Sequence, residues 1–426
     1  MAMIFASIGY TYWFLRINGY LPLPFFPDPS NDLMDGYNTA WWTWNGRAYP
    51  DWRTVYPPFS FAILRVLSIP ACYQGKPPEA RYCDWLLISS LFIGSLVNGV
   101  IAYLAFRKID RSTALPRALA ITFGLPSLFC LQRGNLLIFA WTGVFLAFAP
   151  IIRSTRARWL GIAVAINLKP YFVGLVLAKL LRREWRWAEG ALIVTVIVYV
   201  LSFVIIKDGS PLQVFDNIKN FAANREHISN FNTVVYSSSY SRISNFLDGF
   251  NLPLMSMLGS WPVEFWPRTF DWLIRLFQVI SLLAVSLIWI SPEAFNRYRI
   301  LSLSFTLLLI TFNPGGYAMV GTIFFIFLEY RKDWSIWVAT ICSYLLSLPI
   351  DIPFSRLGTR LTYSDLAGYT VSYHNWLTVG PFLRPGLIMV IQLMLVIATV
   401  SDFLRYHRKS RDIPAYLPTK LPETSL

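Results

Sequence analysis

The chain has 426 residues, 55% of them hydrophobic, 17% aromatic and only 14% charged, with a formal net charge of +14. A soluble globular domain carries roughly 25% charged residues, so this composition excludes one, and apolar runs this long and Leu/Ile-rich exclude a membrane β-barrel built from short alternating segments. Nor is the positive charge a nucleic-acid surface: it falls into four patches, Arg107–Arg117, Arg153–Arg158, Lys179–Arg186 and Arg405–Arg411, each flanking an apolar run, as the positive-inside rule places basic residues in cytoplasmic loops.

In chain order, apolar segments fall near residues 2–15, 59–71, 85–106, 118–132, 134–152, 159–178, 188–206, 271–290, 298–312, 316–329, 335–349 and 377–401. They predict an all-α, polytopic membrane protein of about 11–13 membrane segments, some shorter than the roughly 20 residues of an upright span. The expected organisation is a single transmembrane domain over 1–401 and a basic cytoplasmic tail over 402–426. With the four patches inside, residues 16–57, 207–262 (with an interfacial segment at 247–262) and 350–376 are expected to be extracytoplasmic loops. The first segment has no basic n-region and no clear small-residue cleavage site, so it is expected to remain in the membrane. Whether 59–71 crosses is open. The chain must leave and return between the second and third patches, so "INLKPYFVG" is expected to join two short helices at a break, tolerable only inside protein or along a cavity. Cys72 and Cys83 bracket a short polar stretch and are competent for a disulfide if extracytoplasmic, with free thiols the preferred reading; Cys130 and Cys342 read as packing residues. No Cys/His spacing suggests a metal site, and no cofactor is implied.

The first loop is the most informative stretch. In "NDLMDGYNTAWWTWNGRAYPDW", Leu33, Tyr37, Ala40, Trp41 and Trp44 recur at spacings of three and four, predicting a short amphipathic helix capped by Ser30 or Asn31 and ended by Asn45-Gly46. Asp32 is then expected in the first turn. It is either a capping, dipole-matching carboxylate or a catalytic base. Asp35, one turn on, is a second candidate carboxylate or a partner for Arg53, whereas Asp28 and Asp51 read as solvated loop acids. In "VYPPF", Pro57 and Pro58 predict a rigid corner opening the next helix, with Tyr56 able to line a cavity.

These residues carry a resemblance. Asp32, Tyr37, Ala40, Asn45, Gly46 and Tyr56-Pro57-Pro58, then Gln132, Gly134 and Asn135 in "LQRGNLL", then "NLKPYFVGLVLAKLLRREWR", are similar in order and spacing to glycosyltransferase family 87 of the GT-C superfamily, over roughly residues 28–190 and more weakly to about 330. The resemblance implies inverting, metal-independent transfer of a sugar, mannose as the first guess, from a polyprenyl-phosphate donor to a glycolipid or polysaccharide acceptor. It places the active site on the extracytoplasmic face of a bacterial inner membrane, with membrane lipids and no nucleic acid as partners. One departure is "TFNPGGYAMVG", which holds Asn313 but no histidine where relatives often carry one; His374 is a possible replacement.

On this basis Asp32 is expected to be the base, with Asp35 as the second catalytic candidate. Lys169, at the helix break, either meets the phosphate, snorkels to the interface or pairs with a loop acid. Arg225, His227 and Arg242 lie in an anomalously basic outer loop and are candidates for phosphate or sugar contact. Arg133 is either functional or interfacial. Tyr37, Tyr56, Trp41, Gln132, Asn135 and His374 complete the candidate substrate-binding set, Trp41 either stacking on sugar or anchoring in the interface. Two rivals stand beside this reading: another lipid-linked GT-C transfer (arabinosyl, glucosyl or aminoarabinose), and a polyprenyl-lipid transporter or flippase, against which the lack of a visible inverted repeat argues.

Overall fold

A computed structural model of the chain describes residues 2–223, 237–241, 260–312, 314–330 and 333–412. Helix α1 (Ala2–Asn18) leads to a loop that carries α2 (Met34–Asn45) and α3 (Pro58–Leu67). The chain then runs back and forth through a bundle along α4 (Trp85–Ile109), α5 (Ala114–Thr122) with α6 (Leu125–Gln132), α7 (Leu137–Phe148), α8 (Thr155–Leu168), α9 (Val173–Leu181) and α10 (Trp185–Ile206). Helix α11 (Pro211–Ala223) lies outside the bundle. Further legs are α12 (Ser260–Ile290), α13 (Arg299–Phe312), α14 (Met319–Phe327), α15 (Trp334–Leu346) and α16 (Gly380–Asp412). Among the described residues, five stretches are long and apolar enough to span a membrane: 85–109, 114–132, 185–206, 268–290 and 380–408. Their outer faces expose apolar side chains such as Ile93 and Leu96 on α4 and Val196 and Val200 on α10, the pattern of a bundle solvated by lipid rather than water. The protein is a multi-pass helical membrane protein.

The legs start and stop for local reasons. Asp84 caps α4 through its carboxylate to the Leu87 amide (3.1 Å), and Arg107 and Lys108 sit in its last turn, opposite the negative end of the helix dipole. Pro170, which cannot donate to a helix and pushes the preceding residue out of the α region, leaves Lys169 extended (φ −144°, ψ 104°) and separates α8 from α9 as expected. Helices α7 and α8 touch backbone to backbone: a Cβ on Gly161 would stand 2.7 Å from the Gly143 carbonyl and 3.3 Å from the Ala147 amide, so only small residues fit this crossing.

All four basic patches gather at one end of the bundle. Lys108 reaches the Pro150 carbonyl, Arg182 the Phe295 carbonyl, and Arg405 pairs with Asp333. The opposite end carries the loops. Helix α3 stays there: Trp44 of α2 bonds Ser68 at its end, and Arg65 caps the α10 carbonyls of Ile205 and Ile206. Segment 59–71 therefore does not carry the chain to the basic end. At ten residues, α3 is only half a span.

One expectation is corrected here. Cys72 and Cys83 are joined in a disulfide rather than free, their Cα atoms 5.5 Å apart. Within the third expected loop, residues 350–376, the structure adds an element the sequence reading did not name: β1 (Pro353–Ser364) and β2 (Tyr369–Thr378) pair antiparallel as a hairpin on the loop end. Asp351 ties its base by accepting from Thr378, the Gly380 amide and Arg384. Its buried face sets Val371 and Tyr373 against Tyr20 of the first loop.

Candidate active site

The loop end is built around the turn after α6. Gly134 adopts φ +64°, and a Cβ there would come within 2.8 Å of the Leu33 carbonyl and 3.0 Å of Leu33 Cα. From the other side, a Cβ on Gly36 would come within 2.8 Å of the Gly134 carbonyl. These two glycines let "LQRGN" dock onto the start of α2. Gly134→Ala is expected to cost about 1–3 kcal/mol, since both the left-handed backbone and the contact oppose a side chain; thermal unfolding in detergent, falling together with activity, checks it.

The docked turn holds the first loop like a clamp. Gln132 donates through Nε2 to the Phe26 carbonyl (2.9 Å) and to Asp32 Oδ1 (2.8 Å), and its Oε1 accepts from the Phe26 amide (2.9 Å). Its own carbonyl accepts from the Leu33 amide (2.6 Å). Arg133 donates to the Asn31 carbonyl (3.0 Å) and Asp35 Oδ1 (2.5 Å), and its guanidinium lies 4.7 Å from the Phe26 ring centre. Asn135 completes the seat by donating to Asp35 Oδ2 (2.8 Å).

The two carboxylates therefore differ. Asp35 is held on both oxygens by Arg133 and Asn135. Arg53, offered as one alternative for Asp35, does not bond it among the described residues, and Arg133 turns onto the first loop instead. Asp32 is 7% exposed, and its second oxygen, Oδ2, has no hydrogen-bond partner among the described residues. Burial pushes its carboxyl up to about 7, against the opposing pulls of the Gln132 hydrogen bond and the Arg81 and Arg133 charges. A buried carboxylate with one free oxygen and affinity for a proton near neutrality is suited to general-base work.

Asp32 does not sit in the first turn of α2, as expected, and Ser30 and Asn31 do not cap that helix. Both instead bond Asp28, which caps the short turn 29–31 and is no idle solvated acid. The residue before α2 is Leu33, at φ +63° with no side-chain cap. A left-handed leucine is strained by roughly 1–2 kcal/mol, and this kink stands between Asp32 and Asp35. The end of α2 is as expected, at Asn45 with Gly46 at φ +71°, and α3 opens at Pro58.

Lys169 comes to the same region. Its Nζ lies 4.2 Å from the Tyr56 ring centre, a cation–π contact, and it forms no ion pair among the described residues. Asp35 is the carboxylate whose charge acts on it. The charges of Asp35 and Arg133 also act on Tyr56, so the Pro-Pro corner, the helix break and the clamp converge.

The remaining candidates separate from this cluster. Tyr37 is buried under α2. Trp41 donates to the Gly75 carbonyl (2.7 Å) and packs edge-on against Trp52, so its indole serves the loop's own packing. His374 lies on β2 and contacts Arg356 and Thr359, outside the groups around Asp32. Arg225, His227, Arg242 and Asn313 lie outside the described residues. Arg81, which the sequence reading passed over, donates to the Ser30 carbonyl two residues before Asp32, and its charge acts on that carboxylate. Among the described residues no group of His, Cys, Asp and Glu side chains is assembled as a metal-ligand set.

Comparison with known families agrees with the resemblance. The model of glycosyltransferase family 87 matches residues 54–320. The match takes in Tyr56, Gln132, Arg133, Asn135 and Lys169; Asp32, Asp35 and the hairpin lie beyond its ends. No curated protein matches the chain.

Proposed function

The chain belongs to glycosyltransferase family 87, and from that premise we propose that it transfers a sugar, mannose as the first candidate, from a polyprenyl-phosphate donor to a glycolipid or polysaccharide acceptor. The loop end would face the periplasm or exterior of a bacterial inner membrane, leaving the basic end in the cytoplasm. The observation that carries the reading is the buried Asp32 Oδ2, which has no hydrogen-bond partner among the described residues, on the same clamp whose Asp35 acts on Lys169, a lysine with no ion pair among the described residues. That pairing supplies a base for one reactant and a cation for the other.

In this mechanism Asp32 accepts the proton of the acceptor hydroxyl as its oxygen attacks the anomeric carbon from the side opposite the phosphate. The bond between the anomeric carbon and the phosphate oxygen breaks, its electron pair stays on that oxygen, and the configuration inverts. Lys169, seated on Tyr56, meets the charge that grows on the departing polyprenyl phosphate. Gln132 fixes the rotation of the Asp32 carboxylate, and Arg133 with Asn135 holds Asp35 as structural counter-charge at the start of α2. Arg225, His227 and Arg242 are proposed as further phosphate or sugar contacts from the second loop.

The experiment is transfer from a panel of radiolabelled polyprenyl-phosphate sugars by purified protein in nanodiscs, with membrane lipid extract as acceptor source. Label is expected to appear in product from one donor and to vanish in Asp32→Asn. Movement of intact donor across the bilayer without transfer would overturn the reading in favour of a translocator.

A further inference from the structure

The hairpin, the disulfide loop and the first loop meet at one side chain. Arg81 lies on the short helical turn 77–82, inside the loop closed by Cys72–Cys83. Its side chain is 8% exposed. One terminal nitrogen meets Asp365 at the hairpin tip, the other donates to the Ser30 carbonyl, two residues before Asp32, and Nε has no partner among the described residues. Tyr82, the next residue, donates to the same Asp365. Ser364 then bonds the Gly19 carbonyl, so the tip is tied to the start of the first loop directly and to Ser30 through Arg81.

We propose that Arg81 is a positioning residue for Asp32: held by Asp365, it fixes the Ser30–Asp32 backbone and supplies a positive charge that tunes the carboxylate's proton affinity. The inference deepens the proposed function and rests on it for the catalytic meaning of Asp32. The groups acting on Asp32 are Gln132 and Arg133 from the turn after α6, Asp28 from its own loop and Arg81 from the disulfide loop, with Arg81 the strongest of the charges. Arg133 is already engaged by Asp35, and Arg81 by Asp365 across the hairpin. The hairpin thus reaches Asp32 through Arg81, by deciding how much of that guanidinium's charge is balanced, while Tyr373 on β2 also faces Asp28.

This arrangement predicts shifts of opposite sign from two changes that both break one contact. Arg81→Gln removes the cation and is expected to raise the midpoint of Asp32 by about one pH unit. Asp365→Asn leaves the cation less balanced and is expected to lower it. A residue that merely pegs the loop in place would give shifts of one sign, or none.

The readout is an infrared pH titration of the whole protein in nanodiscs, with the Asp32 carboxyl band assigned by its absence in Asp32→Asn. The titration needs no sugar donor, so it stands or falls separately from the transfer reading. Opposite shifts in Arg81→Gln and Asp365→Asn support the proposal; equal shifts or unmoved midpoints overturn it. Should Arg81→Gln fail to fold, Arg81→Lys keeps the charge and is expected to hold the midpoint near that of the wild type, and a rise as the charge-to-backbone fork is lost would overturn the electrostatic role. Where transfer is observed, Arg81→Gln is expected to lose about fivefold at pH 7 and regain it by about pH 9, following the raised midpoint.

Discussion

Asp32→Asn is expected to abolish measurable transfer, a loss of about 10²–10⁴-fold for a missing general base, without weakening the fold. The second half of that expectation is the discriminating one. Asparagine keeps an oxygen for Gln132 Nε2, the hydrogen bond that holds the carboxylate, and replaces the oxygen that has no partner. The proton linkage gives the sign. Burial raises Asp32 from an ordinary 3.8 to about 7 in the folded protein, so the folded state binds this proton more tightly than the unfolded chain does. The stability contributed by that proton is fully present below about pH 4 and is lost as pH rises through 7. At pH 8 the wild type holds a charged carboxylate in a buried site, a cost on the order of a few kcal/mol. The asparagine variant avoids it. Thermal unfolding at pH 8 should therefore find Asp32→Asn at least as stable as wild type, with a flatter pH dependence between 4 and 8. Wild-type transfer, limited by the deprotonated base, should rise with pH to a plateau above about 7. Loss of activity accompanied by loss of stability at pH 8 would identify Asp32 as a structural carboxylate. Retained activity would pass the role of base to Asp35, whose oxygens are both engaged.

The same contrast explains what was legible in the sequence. Elements whose cause is local were readable: the three-and-four spacing of α2, its stop at Asn45-Gly46, the Pro57-Pro58 corner, the break at Pro170 and the basic patches. Each depends on residues within a few positions of one another. The site depends on residues far apart. Gln132 reaches Asp32 over 100 positions and Arg81 reaches Asp365 over 284, and no periodicity encodes such pairs. Asp32 was expected as the base with Asp35 second, but the different hold on each carboxylate was not legible, because the strained Leu33 that parts them obeys no propensity. The hairpin did leave a signal: Val371 and Tyr373 alternate with polar neighbours and "DLAG" is a turn. In a chain this rich in helices, two short alternating runs were outweighed. The disulfide was readable as a possibility, and pairing followed once both cysteines proved to lie on the loop end, with Asp84 and Tyr73 bonded between them and α4.

Lys169→Met is expected to lower kcat/KM by about 10²–10³-fold, the scale of a lost charge stabiliser at a departing oxyanion, and again to leave stability unchanged or higher. Among the described residues this buried ammonium has exchanged hydration for a cation–π contact of about 0.5–2 kcal/mol and no ion pair. Methionine fills a similar volume against Tyr56 and carries no charge to desolvate. The kinetic loss should appear in kcat as well as KM, because phosphate charge is greatest once the sugar has left. Inhibition by free polyprenyl phosphate should weaken in the same variant, since that product presents the same charge to the same cation. A fall in activity matched by early unfolding would make Lys169 a packing residue, and unchanged inhibition by polyprenyl phosphate would place the phosphate elsewhere, with the second-loop cations the next to test. The two replacements share a logic. A carboxylate oxygen unpartnered and an ammonium unpaired among the described residues, both buried at one end of the bundle, each cost stability in the resting protein. A bound acceptor hydroxyl and a bound phosphate would satisfy both groups. Sites of this kind trade stability for activity, so loss of transfer with no loss of fold is the signature that separates a transferase site from a structural charge cluster.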